Sequence, residues 1–192
     1  VLRRLYDRTI ALADTPYALA ALAVIAFVES SVFPIPPDVL MIPMMLARPN
    51  RAFLIAGVAL AASVAGGMLG YYIGAVLFES VGRPVLEFYG KDVYFDDFAT
   101  RYNAYGAWAV LIAGVTPFPY KVITIMSGTT GLSLPVFIVA SIVARGVRFY
   151  ALAVMLRLYG APIRLFIERW FGLLSVAFVA LLIGGFWLVR YL

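Results

Sequence analysis

The sequence predicts an all-α integral membrane protein: an inverted repeat of a re-entrant hairpin plus a transmembrane helix. An amphipathic helix precedes the repeats and an extra C-terminal transmembrane helix follows them. Three observations predict it. The 192 residues are 64% hydrophobic and 13% charged, where soluble domains run at roughly 45–50% and about 25%. Long uncharged stretches alternate with stretches broken by proline. Two of these breaks, Pro34-Ile35-Pro36-Pro37-Asp38 and Pro117-Phe118-Pro119-Tyr120-Lys121, share the pattern Pro-x-Pro-x-charge at an offset of 83 residues. We read residues 1–192 as a single membrane domain, with repeat one at about 15–78, repeat two at about 98–161 and the last helix at 171–189.

The elements follow in order. Arg3, Arg4, Asp7, Arg8 and Asp14 interrupt any apolar core of a signal peptide, so Val1 to Ala13 reads as an amphipathic helix on the membrane surface. Tyr17 to Ala47 is apolar but broken at Pro34, Pro36 and Pro37. Its limbs would be about 25 Å and about 13 Å long at ~1.5 Å per residue, and the second is too short to cross ~30 Å of hydrocarbon. A hairpin that enters and leaves on one side fits better, and it needs protein or a water-filled cavity against its irregular turn. Ala52 to Phe78 is 27 residues without a charge, the first spanning helix. Its Gly66, Gly70 and Gly74 share one face. Close helix packing is the plainer reading of that face, and a ligand surface the other. Glu79 to Tyr105 mixes acids, bases and aromatics and predicts interfacial helices. Gly106 to Tyr120, ending at Thr116, Pro117 and Pro119, opens a second hairpin, and Val136 to Leu156 is the helix that follows it. Phe171 to Val189 supplies 19 uncharged residues for the last span.

An odd number of crossings separates the repeats, so they are expected to be inverted. With the N-terminus inside, Arg3, Arg4, Arg8, Arg48, Arg51, Arg157, Arg164 and Arg169 fall on the cytoplasmic side and the acidic middle falls outside, leaving Arg190 as an exception. This points to a multi-pass protein of a bacterial or archaeal cell membrane. The net charge of +5 reads as a basic face beside anionic lipid rather than a nucleic-acid surface.

The chain has no Cys and no His. This excludes thiol nucleophiles, disulfides, thiolate metal sites and His-dependent hydrolysis. Asp38 is the only clear membrane aspartate, which disfavours an aspartyl protease. Ser30, Ser31, Ser127 and Ser141 have only Lys121 as a base. We therefore expect no enzyme, no metal and no cofactor. What remains is Glu29, Asp38, Lys121, Arg145 and Arg148 in or beside apolar stretches, each costing roughly 2.5–3.5 kcal/mol at the centre of a helix on insertion scales. They either lock two halves together as ion pairs or form a polar site at the repeat interface. For the second reading, Lys121, Arg145 and Arg148, together with Thr116, are candidate ligands for an anionic headgroup. Glu29 and Asp38 are candidate proton carriers, because poorly hydrated carboxylates hold protons more readily. Asp38 and Lys121, at matching turns, are expected to meet.

Glu29-Ser-Ser-Val-Phe-Pro34-Ile-Pro36-Pro37-Asp38 and Gly66-Gly-Met-Leu-Gly70-Tyr71-Tyr-Ile-Gly74 resemble two signatures of the DedA family, also called VTT or SNARE-associated membrane proteins, in its YqaA-like branch. A third family signature, Phe-Ser/Thr-Arg-x-x-Pro-x-x-Arg, is matched only in part. Thr116 stands near the position of its first arginine, which is absent, and Lys121 is nearest to its second. The resemblance covers roughly Ala18 to Leu156. It implies two re-entrant hairpins facing each other and translocation of lipids such as undecaprenyl phosphate or phospholipid, with dependence on the proton gradient. It leaves self-association open. The rival reading is a proton-coupled transporter of a small soluble ion or osmolyte, and a third is a structural scaffold.

Overall fold

The computed structural model describes residues 17–32, 36–90, 92–116 and 119–189. Every regular element among them is helical. Helix α1 is Ala18–Ser31 and α2 is Asp38–Ala47, separated by the proline break. A 3₁₀ turn, Pro49–Arg51, leads into α3, Ala52–Leu77, which continues through a π turn, Phe78–Gly82, into the short α4, Arg83–Phe88. Helix α5 is Asp92–Val115 and α6 is Tyr120–Thr129. The helical run Leu134–Val189, α7, bends at Tyr159, where φ −122° and ψ 17° leave the helical region. Pro162 explains the bend, since its ring meets the carbonyl of the residue four positions earlier and removes a donor. Among the described residues two stretches are long and apolar enough to span a bilayer, Pro49–Phe88 and Leu134–Gly160. The N-terminal amphipathic helix, Pro34, Pro117 and Arg190 lie outside the described residues.

Contacts fix the direction of each helix. Gly57 of α3 lies by Tyr150, and Gly67 by Phe137, so α3 and α7 are antiparallel. Phe27 and Ser30 of α1 lie at Gly66 and Gly70, so α1 runs parallel to α3. Asp38 reaches Arg148 and Leu46 lies at Gly160, so α2 runs back along α7. In the second half, Gly106 and Gly114 of α5 lie at Leu132 and Ala144, so α5 runs with α7. Helix α6 returns along α3, with Thr124 at Gly70 and Gly128 at Tyr71 and Ala75. The chain thus doubles back twice, at residues 32–37 and 116–119, and both reversals lie level with Ser141–Arg148 of α7.

Small residues make this packing. A Cβ at Gly66 would strike the backbone of Phe27, and one at Gly74 the backbone of Ile125. Gly128 of α6 meets the backbone of Tyr71 in return. Helix α3 is therefore gripped on one face by α1 and by α6. Backbones can approach this closely only without side chains between them, and lipid-exposed helices have little hydrophobic drive to associate otherwise. Gly131, at φ +66°, closes the turn after α6, where the Leu132 N–H donates to the Ser127 carbonyl.

Two apolar cores result. One joins α1, α2, the start of α3 and the far part of α7 through Leu22, Met41, Met45, Ala56, Phe149 and Leu156. The other joins α5, α6 and the start of α7 through Val110, Tyr120, Leu132, Phe137 and Ala140. The polar middle differs from its sequence reading. Asp92 to Tyr105 forms the first part of α5 and not a separate interfacial helix. Gly106 does not stop it, because glycine costs a helix only about 1 kcal/mol and Leu132 packs into the space it leaves.

The glycine contacts give a stability contrast. Gly128→Ala drives a Cβ into the Tyr71 backbone and is expected to destabilise the protein by about 1–3 kcal/mol. Gly146→Ala, whose Cβ would find only the Leu60 side chain at 3.7 Å, is expected to be neutral or to stabilise by up to about 1 kcal/mol. Thermal unfolding in detergent measures both, and equal behaviour of the two variants would contradict the packing described.

Candidate functional site

Between the two cores lies a polar layer. Its centre is Arg145 of α7, only 2% exposed. Its Nε donates to Ser63 Oγ of α3 at 2.7 Å and Nη2 donates to Ser30 Oγ of α1 at 3.0 Å. Nη2 also pairs with Glu29 Oε2, whose side chain is 15% exposed. Ser30 and Ser63 hydroxyls lie 2.7 Å apart, which joins α1 to α3 directly. The flat guanidinium lies over Tyr120, 4.4 Å from the ring centroid, and near Phe149 at 5.0 Å. A cation desolvated in this way gains from the negative ring face. The Tyr120 hydroxyl donates to Ser141 Oγ at 2.5 Å. Among the described residues no buried side-chain polar atom lacks a partner.

Arg148 follows Arg145 after one turn of α7 and connects the two breaks. Its Nη2 donates to Asp38 Oδ2 at 2.6 Å and its Nη1 to the Thr116 carbonyl at 3.2 Å. Asp38 opens α2, and Thr116 follows the last residue of α5. This pair is wetter than the other, with side chains 27% and 22% exposed.

The arrangement solves a backbone problem. A helix that stops inside the protein leaves carbonyls without partners. The Ser30 carbonyl, in the last turn of α1, accepts from Thr124 Oγ1 of α6 at 3.1 Å. The Thr116 carbonyl is taken by Arg148. Each arginine also lies at the negative end of a broken helix, Arg145 at α1 and Arg148 at α5, while Asp38 lies at the positive end of α2.

The placements correct one expectation. Asp38 does not pair with Lys121; its carboxylate is held by Arg148. Lys121 follows Tyr120 by about 100° around α6, and it is Tyr120 that turns inward, at 1% exposure. Lys121 is half-buried and makes no ion pair among the described residues. Thr116 contributes its carbonyl. Pro36 and Pro119 flank the breaks, Pro119 as the residue that precedes α6. Gly66, Gly70 and Gly74 pack against α1 and α6. Sequence reasoning missed Ser63, Tyr120, Thr124 and Phe149. Ser63 had a signal, since it lies on the glycine stripe three positions before Gly66.

This layer coincides with the part of the chain that is shared with other proteins. A family model for the VTT domain matches residues 19–158. The chain belongs to the VTT-domain, or DedA, family. It is a membrane protein of that family, and the match runs from the first turn of α1 to the bend in α7. It is 32% identical over 149 residues to an uncharacterised protein of Haemophilus influenzae, covering 78% of this chain and 77% of the relative. It is 31% identical over 145 residues to an uncharacterised protein of Histophilus somni, covering 76% and 75%. No solved structure matches the chain.

The site carries a stability test. Arg145→Met leaves Glu29 buried without its cation and is expected to cost about 3–5 kcal/mol. Adding Glu29→Leu removes the stranded charge, so the double variant should be more stable than Arg145→Met alone. Chemical unfolding in detergent checks this, and additive losses would show that the two side chains are not coupled.

Proposed function

We propose that this protein is a multi-pass translocase for an anionic lipid, and that the headgroup passes through the layer of Arg145, Arg148 and Lys121. The reading takes the two chain reversals as tips of re-entrant hairpins that enter a cell membrane, bacterial or archaeal, from opposite faces. The charge balance carries it. Glu29 and Asp38 are each held by an arginine, and Lys121 is left over on the first turn of α6. A cation at a helix N-terminus is unfavourable by itself. An anion bound there would satisfy both the lysine and the free N–H groups of the turn. A phosphate headgroup has that chemistry.

A lipid is favoured over a soluble solute because the outer face of α5 and α7 is apolar. Ala107 and Leu111 of α5 and Val136, Val139 and Val143 of α7 line an apolar groove open to the surroundings. A soluble ion gains nothing from such a wall. Glu29 and Asp38 are the groups that would couple the movement to protons, since protonation of either carboxylate loosens the arginine it holds. Self-association is compatible with this reading and is not required by it.

Reconstituted vesicles with a fluorescent anionic phospholipid or polyprenyl phosphate test the proposal. Protein-dependent exposure of the headgroup to an external quencher is expected. Lys121→Gln should keep the folded state, since no partner is lost, and slow movement about tenfold, the value of roughly 1.4 kcal/mol in a barrier. Full movement in Lys121→Gln, or none with any anionic lipid in the wild type, would refute the proposal. The topology has its own check. The chain contains no native Cys, so Asn50→Cys and Asp97→Cys can each be labelled with a membrane-impermeant maleimide. Labelling from opposite faces is expected, and labelling of both from one face would refute the inverted arrangement.

A further inference from the structure

The two limbs that leave the breaks, α2 and α6, hold matching places in the repeat but meet their neighbours with different chemistry. At the offset of 83 residues, Met41, Met44 and Met45 of α2 correspond to Thr124, Ser127 and Gly128 of α6. All six are buried. Helix α6 is tied to four other helices. The Tyr120 hydroxyl donates to Ser141 of α7, and Thr124 Oγ1 to the Ser30 carbonyl of α1 at 3.1 Å. Ser127 Oγ lies 3.1 Å from the Tyr102 hydroxyl of α5, and Thr129 Oγ1 donates to the Gly74 carbonyl of α3 at 3.4 Å. Just past the end of α6, Asn103 Nδ2 donates to the Thr130 carbonyl at 2.7 Å, and its Oδ1 accepts from the Thr130 hydroxyl at 3.1 Å.

Helix α2 has no means of being held in this way. Of its ten side chains only Asp38 carries an oxygen or a nitrogen, and that carboxylate is on Arg148. Pro43, inside the helix, withholds a donor from the Val39 carbonyl. The methionines of α2 share a core with Phe149, Ala153 and Leu156 of α7. Methionine repacks readily, because it is unbranched and turns about three bonds. The grip of α6 on α3 has no such give, since Gly74 and Gly128 meet backbone. Nor can α2 dock on α7 as α6 docks on α3. Met45 stands in the place of Gly128, and Arg157 in that of Gly74. We infer that α2 is the limb that moves on α7, released when the Asp38–Arg148 pair opens, while α6 stays docked; this deepens the translocase reading above and rests on it. Inverted repeats transport by moving one element against another, and in this chain the movement is confined to one repeat. An anionic headgroup competes with Asp38 for the Arg148 guanidinium, so the arrival of the lipid itself frees the limb.

Cysteine reactivity tests this with the full-length protein in phosphatidylcholine vesicles that contain a minor fraction of phosphatidylglycerol. Met44→Cys on α2 and Ser127→Cys on α6 place thiols at matching buried positions. Asp38→Asn, which weakens the pair, should speed the reaction of N-ethylmaleimide at residue 44 about tenfold, the effect of about 1.4 kcal/mol on an opening equilibrium. Residue 127 should stay within about twofold of its rate beside Asp38. Two bridges test the same motion with Asp38 in place. The Leu46 side chain lies 3.4 Å from the Cβ position at Gly160, so Leu46→Cys and Gly160→Cys, joined by a short bis-thiosulfonate, tie α2 to α7. Asn103→Cys and Thr130→Cys, joined likewise, tie α5 to the end of α6. The first bridge should stop lipid movement until it is reduced, and the second should leave movement unchanged. Equal acceleration at 44 and 127 in Asp38→Asn protein that is still folded by circular dichroism would overturn the inference. So would movement that survives the first bridge or is stopped by the second. Lipid movement without faster reaction at 44 overturns the moving limb and keeps the translocase. Faster reaction at 44 alone, in protein that moves no lipid, supports the moving limb and removes the translocase.

Discussion

The structure depends on the burial of one guanidinium. Arg145 lies among apolar helices where no bulk water can reach it, and an unpaired cation there would be very costly. Its planar fork is met by Ser63, Ser30 and Glu29 at its edge and by Tyr120 and Phe149 near its faces. Lysine could not replace it, because a point charge has neither the fork nor the flat face. Four helices must be in register for these contacts to form. Arg145 thus sets where α1 stops, where α6 starts and how α3 crosses between them.

The second constraint is the backbone. Two helices end in the interior, and each exposes carbonyls that lipid cannot satisfy. The solution is reciprocal. The end of α1 is capped by Thr124 from the second half, and the end of α5 by Arg148 of α7. Broken helices survive here because other elements supply the missing donors. Close approach makes this reach feasible, and Gly66, Gly74 and Gly128 allow it by leaving room for the backbones of Phe27, Ile125 and Tyr71.

Much of this was legible in the residues. The proline breaks, the glycine stripe and the five charges in apolar stretches named the two reversals, their central helix and all the charged members of the polar layer. The pairing was not legible. Matching turns suggested Asp38 with Lys121, yet Arg148 of α7 reaches Asp38 first, because it stands between both breaks and has the longer, forked side chain. Pseudo-symmetry in sequence describes the hairpins but says nothing of the spanning helix that divides them. The role of the serines was hidden for a different reason. Ser30, Ser63 and Ser141 look like ordinary small residues in apolar helices until a buried arginine or tyrosine hydroxyl needs them. Asp92 to Tyr105 was read apart from the apolar run that follows because its charges set it off, whereas one helix, α5, carries both.

The two reversals are neighbours level with Ser141–Arg148 of α7, although the chain reaches them from opposite ends of that helix. Spin labels test this directly. Val39, next to Asp38, and Val115, next to Thr116, are both exposed and lie beside the residues joined by Arg148. A distance measured between nitroxides on Val39→Cys and Val115→Cys, in protein reconstituted into bilayers, is expected to be short and narrowly distributed, no more than about half of the ~30 Å hydrocarbon thickness. A distance near that full thickness would place the reversals at opposite faces of the membrane and would contradict the account.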